Sequence, residues 1–107
     1  MFKEGLLKGK RILVTGGGTG LGKEMATHYA SLGADIVICG RRLNVLEETA
    51  DEIKSNHNVD VLAQSLDIRS PQDVDDFIDQ IFATKPLDGL VNNAAGNFIS
   101  PTKMLSP

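Results

Sequence analysis

Hydrophobic residues along this chain alternate between short β-branched runs and longer stretches with helical spacing. The short runs cover residues 12–14, 36–39, 59–66 and 87–91, and each predicts a β-strand. The stretches between them have apolar residues three or four positions apart and predict three amphipathic helices. Strands and helices that alternate in this way are typical of a parallel sheet covered by helices. With right-handed crossovers, the pattern predicts a three-layer α/β fold with strand order 3-2-1-4.

The ends and inner faces of the predicted helices also follow from the sequence. Gly33 is expected to end the first helix, and the polar residues at 56–58 to end the second. Ser70 supplies an N-cap for the third helix, with Pro71 at its first position and Asp73 in its first turn. The positions expected to pack on the sheet are Leu21, Met25, Tyr29 and Leu32 in the first helix, Leu43, Leu46, Ala50 and Ile53 in the second, and Val74, Phe77, Ile78, Ile81 and Phe82 in the third.

The composition narrows the class of protein and its partners. Of 107 residues, 41% are hydrophobic and 23% are charged, which is typical of a globular domain and excludes a disordered or collagen-like chain. The net charge is −3 and the lysines and arginines are scattered, so we expect no nucleic-acid partner. No apolar run has the length of a signal peptide or a membrane span, so we expect a soluble protein with no membrane partner.

Few side chains are suited to redox or metal chemistry. Cys39 is the single cysteine, and its place in the second predicted strand indicates a core residue in a reducing, cytoplasmic compartment. His28 and His57 are isolated, without a second ligand at metal-binding spacing. We therefore expect no metal site.

The loop after the first predicted strand carries the strongest chemical signal. Residues 15–22 read T-G-G-G-T-G-L-G, with glycines in the spacing G-x-x-x-G-x-G. Glycines at a strand-to-helix turn let backbone N–H groups approach a pyrophosphate at the positive helix N-terminus. A P-loop is excluded because Lys23 is followed by Glu24 instead of serine or threonine. The expected cofactor contacts are Gly16, Gly18, Thr19, Gly20, Leu21 and Gly22. The alternative is a flexible loop without a ligand.

The end of the second predicted strand indicates which dinucleotide is bound. Sites that prefer NAD place an acid there for the ribose 2′-hydroxyl, whereas sites that prefer NADP use arginine on the 2′-phosphate. This chain has Arg41 and Arg42 at that point and no acid until Glu47. A guanidinium suits a phosphate, so both arginines are expected to bind NADP(H). The alternative is that they are solvated residues at the start of the next helix.

Two further loops follow strands three and four, at the edge where open α/β sheets bind ligands. Asp67 could accept a hydrogen bond from an adenine amino group, with the backbone of Ile68 lining the same pocket. A turn or capping role is an equal alternative for this carboxylate. After strand four, small residues would let the backbone approach the cofactor, which makes Asn93, Ala94, Ala95 and Gly96 candidate contacts. Taken alone, this segment is an ordinary turn.

These three motifs together resemble the N-terminal half of a short-chain dehydrogenase/reductase. The resemblance covers essentially the whole chain, and each motif stands at a strand end. The triple glycine, Gly40-Arg41, Asp67-Ile68-Arg69 and the run N-N-A-A-G-N-F-I-S-P at 92–101 make the chain most similar to the 2,4-dienoyl-CoA reductases of this family. The resemblance implies that the following residues lie at the cofactor or the acyl-CoA thioester: Arg41, Arg69, Asn97, Phe98 and Ser106.

The resemblance also implies a Rossmann fold, a doubly wound parallel sheet, here cut after the fourth strand. Residues 1–107 would form the N-terminal part of a single NADP-binding domain. The family's catalytic serine and Tyr-x-x-x-Lys would lie beyond this chain, so we expect no catalytic residue within it. Tyr29 is no substitute, because Gly33 stands four places later where lysine is required.

For the full-length protein, the resemblance implies an oxidoreductase of fatty acid metabolism that reduces enoyl- or 2,4-dienoyl-CoA by hydride transfer from NADPH. It also implies a homotetramer. Two alternatives remain open from the residues alone. One is a short-chain reductase that acts on a carbonyl substrate, since fold and cofactor do not determine the substrate. The other is a nucleotide-binding module without catalytic activity.

Overall fold

A computed structural model describes residues 5–67 and 69–93 of the chain. Strands and helices alternate along it, as the hydrophobic pattern predicts. The elements are β1 (Arg11–Thr15), α1 (Gly20–Ser31), β2 (Asp35–Gly40), α2 (Leu43–His57), β3 (Val61–Ser65), α3 (Pro71–Thr84) and β4 (Gly89–Asn92). No helix within the described ranges has the length and hydrophobicity needed to cross a membrane.

The four strands form one parallel sheet in the order β3-β2-β1-β4, which confirms the predicted order. In the register of the sheet, Val14 of β1 pairs with Ile38 of β2 and with Val91 of β4. Successive residues of a strand point to opposite faces of a sheet. Val14 therefore joins the buried cluster under α1 and α2, while Leu13 joins the cluster under α3. These three layers confirm the predicted Rossmann-type α/β architecture.

The inner face of α1 differs from the predicted one. Its buried residues are Gly22, Ala26 and Ala30, whereas Leu21 is 62% exposed. The expected stripe of Leu21, Met25, Tyr29 and Leu32 lies one position away, with its last three members half-buried. Small residues face the sheet because α1 lies close to it, and a Cβ at Gly22 would collide with the carbonyl oxygen of Gly16.

The helix ends agree with the signals in the sequence. The Ser70 hydroxyl accepts a hydrogen bond from the Asp73 backbone N–H at 3.4 Å, and Pro71 begins α3. Asn58 ends α2 in the left-handed conformation with φ 53°, and its N–H donates to the Lys54 carbonyl. Strand β3 is shorter than the predicted 59–66, since residues 59 and 60 precede the paired segment.

A buried arginine connects the amino end of β1 to the end of α3 and to the segment before β4, on the side of the sheet opposite the glycine loop. Arg11, the first residue of β1, donates from its guanidinium to the carbonyls of Ile81 at 2.9 Å and Lys85 at 2.8 Å. Its backbone N–H donates to the Asp88 carboxylate at 2.9 Å. Burial lowers the pKa of Arg11, and the charge of Asp35 acts in the opposite direction. Arg11 thus binds carbonyls at the C-terminal end of α3 and fastens that helix to β1.

Candidate cofactor site

The glycine loop connects the buried end of β1 to the first turn of α1. Gly16 and Gly20 have φ of 65° and 57°, in the left-handed region that favours glycine. The Gly16 N–H donates to the Cys39 carbonyl at 2.8 Å, which holds the start of the loop against β2. A Cβ at Gly17 would lie 2.5 Å from Ile38 Cγ2, too close for any side chain. The loop is therefore packed closely against the sheet.

The first turn of α1 offers no carboxylate of its own to the helix N-terminus. Thr19 is the N-cap residue, with an extended backbone, and its side chain makes no capping hydrogen bond. The first turn contains no acidic residue. The first N–H groups of a helix have no partner within the helix and carry a partial positive charge. This end of α1 is consequently suited to an anion.

A cavity of about 400 Å³ opens at the carboxyl ends of β1, β2 and β3. Seven of the residues predicted from sequence as ligand contacts line it: Gly16, Gly18, Thr19, Arg41, Arg42, Asp67 and Arg69. Val45, Leu46 and Leu66 add apolar surface to the same walls. The cavity thus combines apolar walls with three guanidinium groups. The apolar walls suit an aromatic base, and the guanidinium groups suit a phosphate joined to it.

The single carboxylate among the cavity residues is held by an arginine. Arg69 donates to Asp67 Oδ1 from Nε and from its backbone N–H, both at 3.0 Å, and to Oδ2 from Nη2 at 3.1 Å. These hydrogen bonds lower the pKa of Asp67 to about 2. Those from the Arg69 side chain have the largest effect, the one from its backbone N–H follows, and the charge of Arg41 acts in the same direction. Asp67 is therefore ionised at neutral pH.

The other predicted contacts lie elsewhere or outside the described residues. Gly20, Leu21 and Gly22 are in the first turn of α1 and do not line the cavity. Asn93 follows β4, and its Nδ2 would be 2.7 Å from a Cβ at Gly22. The predicted contacts outside the described residues are Ile68, Ala94, Ala95, Gly96, Asn97, Phe98 and Ser106.

A family model described as "short chain dehydrogenase" matches residues 10–107. The chain belongs to this family. It is 49% identical to a probable 2,4-dienoyl-CoA reductase of Caenorhabditis elegans over 110 aligned positions, which cover all of this chain and 35% of that protein. This short-chain dehydrogenase sequence thus spans about a third of the length of that relative.

Solved structures give the same family and fold. A citronellol catabolism dehydrogenase of Pseudomonas aeruginosa superimposes with a TM-score of 0.84 at 39% identity, covering 91% of this chain and 41% of that one. L-sorbose reductase of Gluconobacter frateurii, solved with NADPH and L-sorbose, has a TM-score of 0.81 at 32% identity and covers 88% and 36%. The Rossmann fold of short-chain dehydrogenases binds a nicotinamide cofactor.

Two hydroxyl groups at this site were not singled out from the sequence. The buried Thr15 hydroxyl accepts a hydrogen bond from the Asn93 N–H at 2.8 Å and lies 3.2 Å from Asn92 Oδ1. The buried Thr49 hydroxyl donates to the Gly18 carbonyl at 2.7 Å. Thr15 directly precedes the glycine motif and could have been found from that position. Thr49 lies in the middle of α2, where no local signal distinguishes it.

Cys39 lines the cavity but is not a candidate for thiolate chemistry. The residue is fully buried in β2, as its place in an apolar run predicts. Burial raises the pKa of its thiol to about 12. The thiol is therefore protonated at neutral pH, and Cys39 serves as a small core residue.

Proposed function

We propose that this chain is the NADP(H)-binding part of an oxidoreductase that reduces enoyl- or 2,4-dienoyl-CoA. The observation that carries the proposal is the charge at the end of β2. Arg41 and Arg42 line the cavity at the point where an NAD site needs an acid, and no acid follows them until Glu47. A planar guanidinium can donate two parallel hydrogen bonds to a phosphate, which favours the 2′-phosphate of NADP(H).

The described residues fit this cofactor in size as well as in charge. A Cβ at Gly18 would lie 3.2 Å from both Leu46 Cδ2 and Val45 Cγ1, so a larger residue there would fit only if these side chains shifted by a few tenths of an ångström. In this proposal the arginines hold the 2′-phosphate, and Val45 and Leu46 pack against the adenine. Thr19 and the N-terminus of α1 receive the pyrophosphate. When bound, the cofactor supplies the hydride.

Asp67 and Arg69, which follow β3, contribute to the same cavity. A carboxylate has about four acceptor sites, and Arg69 uses two on Oδ1 and one on Oδ2. The remaining site on Oδ2 can accept from the adenine amino group. Arg69 is exposed, and it is proposed to contact either a cofactor phosphate or the acyl-CoA.

The substrate class is supported by similarity and by reaction chemistry. A conjugated acyl thioester that accepts hydride at its far carbon develops negative charge on the thioester oxygen, which a hydrogen-bond donor stabilises. Asn97 is proposed as such a donor, Phe98 as a surface for the flat conjugated chain, and Ser106 as a further substrate contact. The name of the relative in Caenorhabditis elegans supports the same substrate class.

The proposal extends to the full-length protein. Residues 1–107 are taken as the N-terminal part of one Rossmann domain, and the catalytic tyrosine and lysine as residues outside this chain. The tyrosine would donate the proton that accompanies hydride transfer. A homotetramer and a reducing, cytoplasmic location complete the proposal, together with a place in fatty acid metabolism.

Steady-state kinetics on the full-length protein test the function. We expect oxidation of NADPH with a 2,4-dienoyl-CoA, and a kcat/KM with NADH that is at least tenfold lower. A panel of ketones and sugars tests the second candidate, a carbonyl reductase, which the structural likeness to NADPH-bound L-sorbose reductase favours. Efficient ketone reduction without dienoyl-CoA turnover would establish that candidate. Cofactor binding without any turnover would indicate a non-catalytic module.

A further inference from the structure

Of the three threonines that lie within the described helices, one donates its hydroxyl hydrogen bond outside its own helix. Thr27 in α1 and Thr84 in α3 donate to carbonyls of their own helices, at 2.8 Å and 3.0 Å. This is the usual way in which a helical threonine satisfies its hydroxyl. Thr49 in α2 donates instead to the carbonyl of Gly18, 31 positions earlier, at 2.7 Å. Its side chain is buried, so water does not compete readily for this bond.

The hydrogen bond from Thr49 acts on a glycine-rich part of the loop. Gly18 follows two glycines, and Gly20 follows Thr19, so steric limits on rotation of the intervening peptide planes are weak. The peptide between Gly18 and Thr19 is planar and trans, with its C=O and N–H pointing in opposite directions. A bond that directs the Gly18 carbonyl toward α2 therefore directs the Thr19 N–H away from α2.

We propose that Thr49 is a positioning residue for the cofactor, acting through the Gly18–Thr19 peptide. By holding the Gly18 carbonyl, its hydroxyl fixes the Thr19 N–H at the N-cap of α1, where the cofactor pyrophosphate is received. The loop is thereby ordered before the ligand arrives, and binding does not have to supply that ordering. This inference rests on the proposed dinucleotide site, but it applies to NADH as well as to NADPH because both contain a pyrophosphate.

The test compares three variants of the full-length protein by calorimetric titration. Thr49→Val removes the hydroxyl at nearly constant volume, and Thr49→Ser keeps it. Thr27→Val is the matched control, because the Thr27 hydroxyl donates to the Lys23 carbonyl of its own helix at 2.8 Å. Each variant is titrated with NADPH and with 2′-AMP, which contains the adenosine and 2′-phosphate but no pyrophosphate. Urea unfolding of each variant is measured alongside.

Thr49→Val is expected to raise the Kd of NADPH about two- to tenfold, the range for the loss of one hydrogen bond. The Kd of 2′-AMP should stay within about twofold, and Thr49→Ser and Thr27→Val should bind both ligands like the wild type. Equal losses for the two ligands, or equal losses in Thr49→Ser and Thr49→Val, would overturn the inference in favour of a packing role. Unchanged NADPH binding by a folded Thr49→Val protein would also overturn it.

Two further results separate this inference from the proposed function. If Thr49→Val does not fold, the Thr49→Ser protein decides alone, because loss of NADPH affinity there contradicts a role of the hydroxyl. If the wild type prefers NADH, the proposed cofactor is wrong. The same comparison with NADH and adenosine, which contains no phosphate, then still decides the role of Thr49.

Discussion

The hydroxyl of Thr15 accepts a hydrogen bond from the backbone N–H of Asn93 at 2.8 Å, although the residues are 78 positions apart. Thr15 ends β1 and is fully buried, and Asn93 directly follows β4. The bond therefore fixes the end of β4 against the start of the glycine loop. It also holds Asn93 beside Gly22, where the small residues of α1 leave space for it.

The first prediction is that Thr15→Val destabilises the protein by about 0.5–1.5 kcal/mol, the net contribution of one hydrogen bond, because the Asn93 N–H is only partly buried. Urea unfolding of the full-length protein measures this loss. Thr15→Ser keeps the hydroxyl and is expected to lose less. A Thr15→Val protein as stable as the wild type would mean that this hydrogen bond does not contribute to stability.

The second prediction concerns the choice of cofactor. Arg41→Ala should weaken NADPH binding roughly ten- to a hundredfold, since one charge-assisted hydrogen bond contributes about 1.5–3 kcal/mol. The affinity for NADH should remain nearly unchanged, because NADH has no 2′-phosphate. Titrations of both cofactors provide the measurement.

The control for Arg41→Ala is Lys54→Ala, which removes the same charge from the last turn of α2, away from the cavity residues. Lys54→Ala should bind both cofactors like the wild type. Similar losses of NADPH and NADH in Arg41→Ala would mean that Arg41 does not recognise the 2′-phosphate.

The sheet could be predicted from the sequence because each strand is a contiguous apolar run. Residues 36–38 are buried on both faces of the sheet, and such runs are typical of parallel strands between helices. The helix ends could be predicted for a similar reason, since the capping signals at Ser70 and Asn58 are local. Cavity contacts such as Arg41 were found because parallel strands end at one edge of a sheet.

The contacts that could not be predicted depend on tertiary distances. The inner face of α1 consists of Gly22, Ala26 and Ala30, and hydrophobicity alone assigns more weight to the neighbouring leucine and methionine. How closely α1 approaches the sheet decides between the two faces. Thr49 and Arg11 bond to residues 31 and 70 positions away, and no periodic pattern encodes such partners.

The third prediction concerns the contribution of Arg11, at the amino end of β1, to stability. Arg11→Met leaves the carbonyls of Ile81 and Lys85 without their guanidinium donor, at a cost of roughly 1.5–3 kcal/mol in the free energy of unfolding. Arg11→Lys should recover part of this loss, because an ammonium carries the charge but lacks the planar fork. Urea unfolding gives both values.

Cofactor affinity is the control for the Arg11 variants. Arg11 begins β1, whereas the cavity lies at the carboxyl end of that strand. Folded Arg11→Met protein should therefore bind NADPH with the wild-type Kd. A large change in Kd would show that the amino end of β1 and the cavity at its carboxyl end are coupled.

The fourth prediction is a pH dependence that arises from Asp67 and Arg69. Hydrogen bonds from Arg69 lower the pKa of Asp67 from 3.8 to about 2, so the folded state favours the ionised carboxylate. The stabilisation is complete above the ordinary pKa and is lost as the pH falls from about 4 toward 2. The pair is exposed, so the effect is small.

The stability difference between the wild type and Asp67→Asn isolates this contribution from other titrating groups. Unfolding midpoints at pH 7, 5, 4 and 3 should show a constant difference down to pH 5 and a shrinking one below it. In an Arg69→Gln background the pKa of Asp67 returns toward its ordinary value, so the same Asp67→Asn difference should lose most of its change between pH 5 and pH 3. A difference that is as large at pH 3 as at pH 7 with Arg69 present would mean that the pair is not formed in solution.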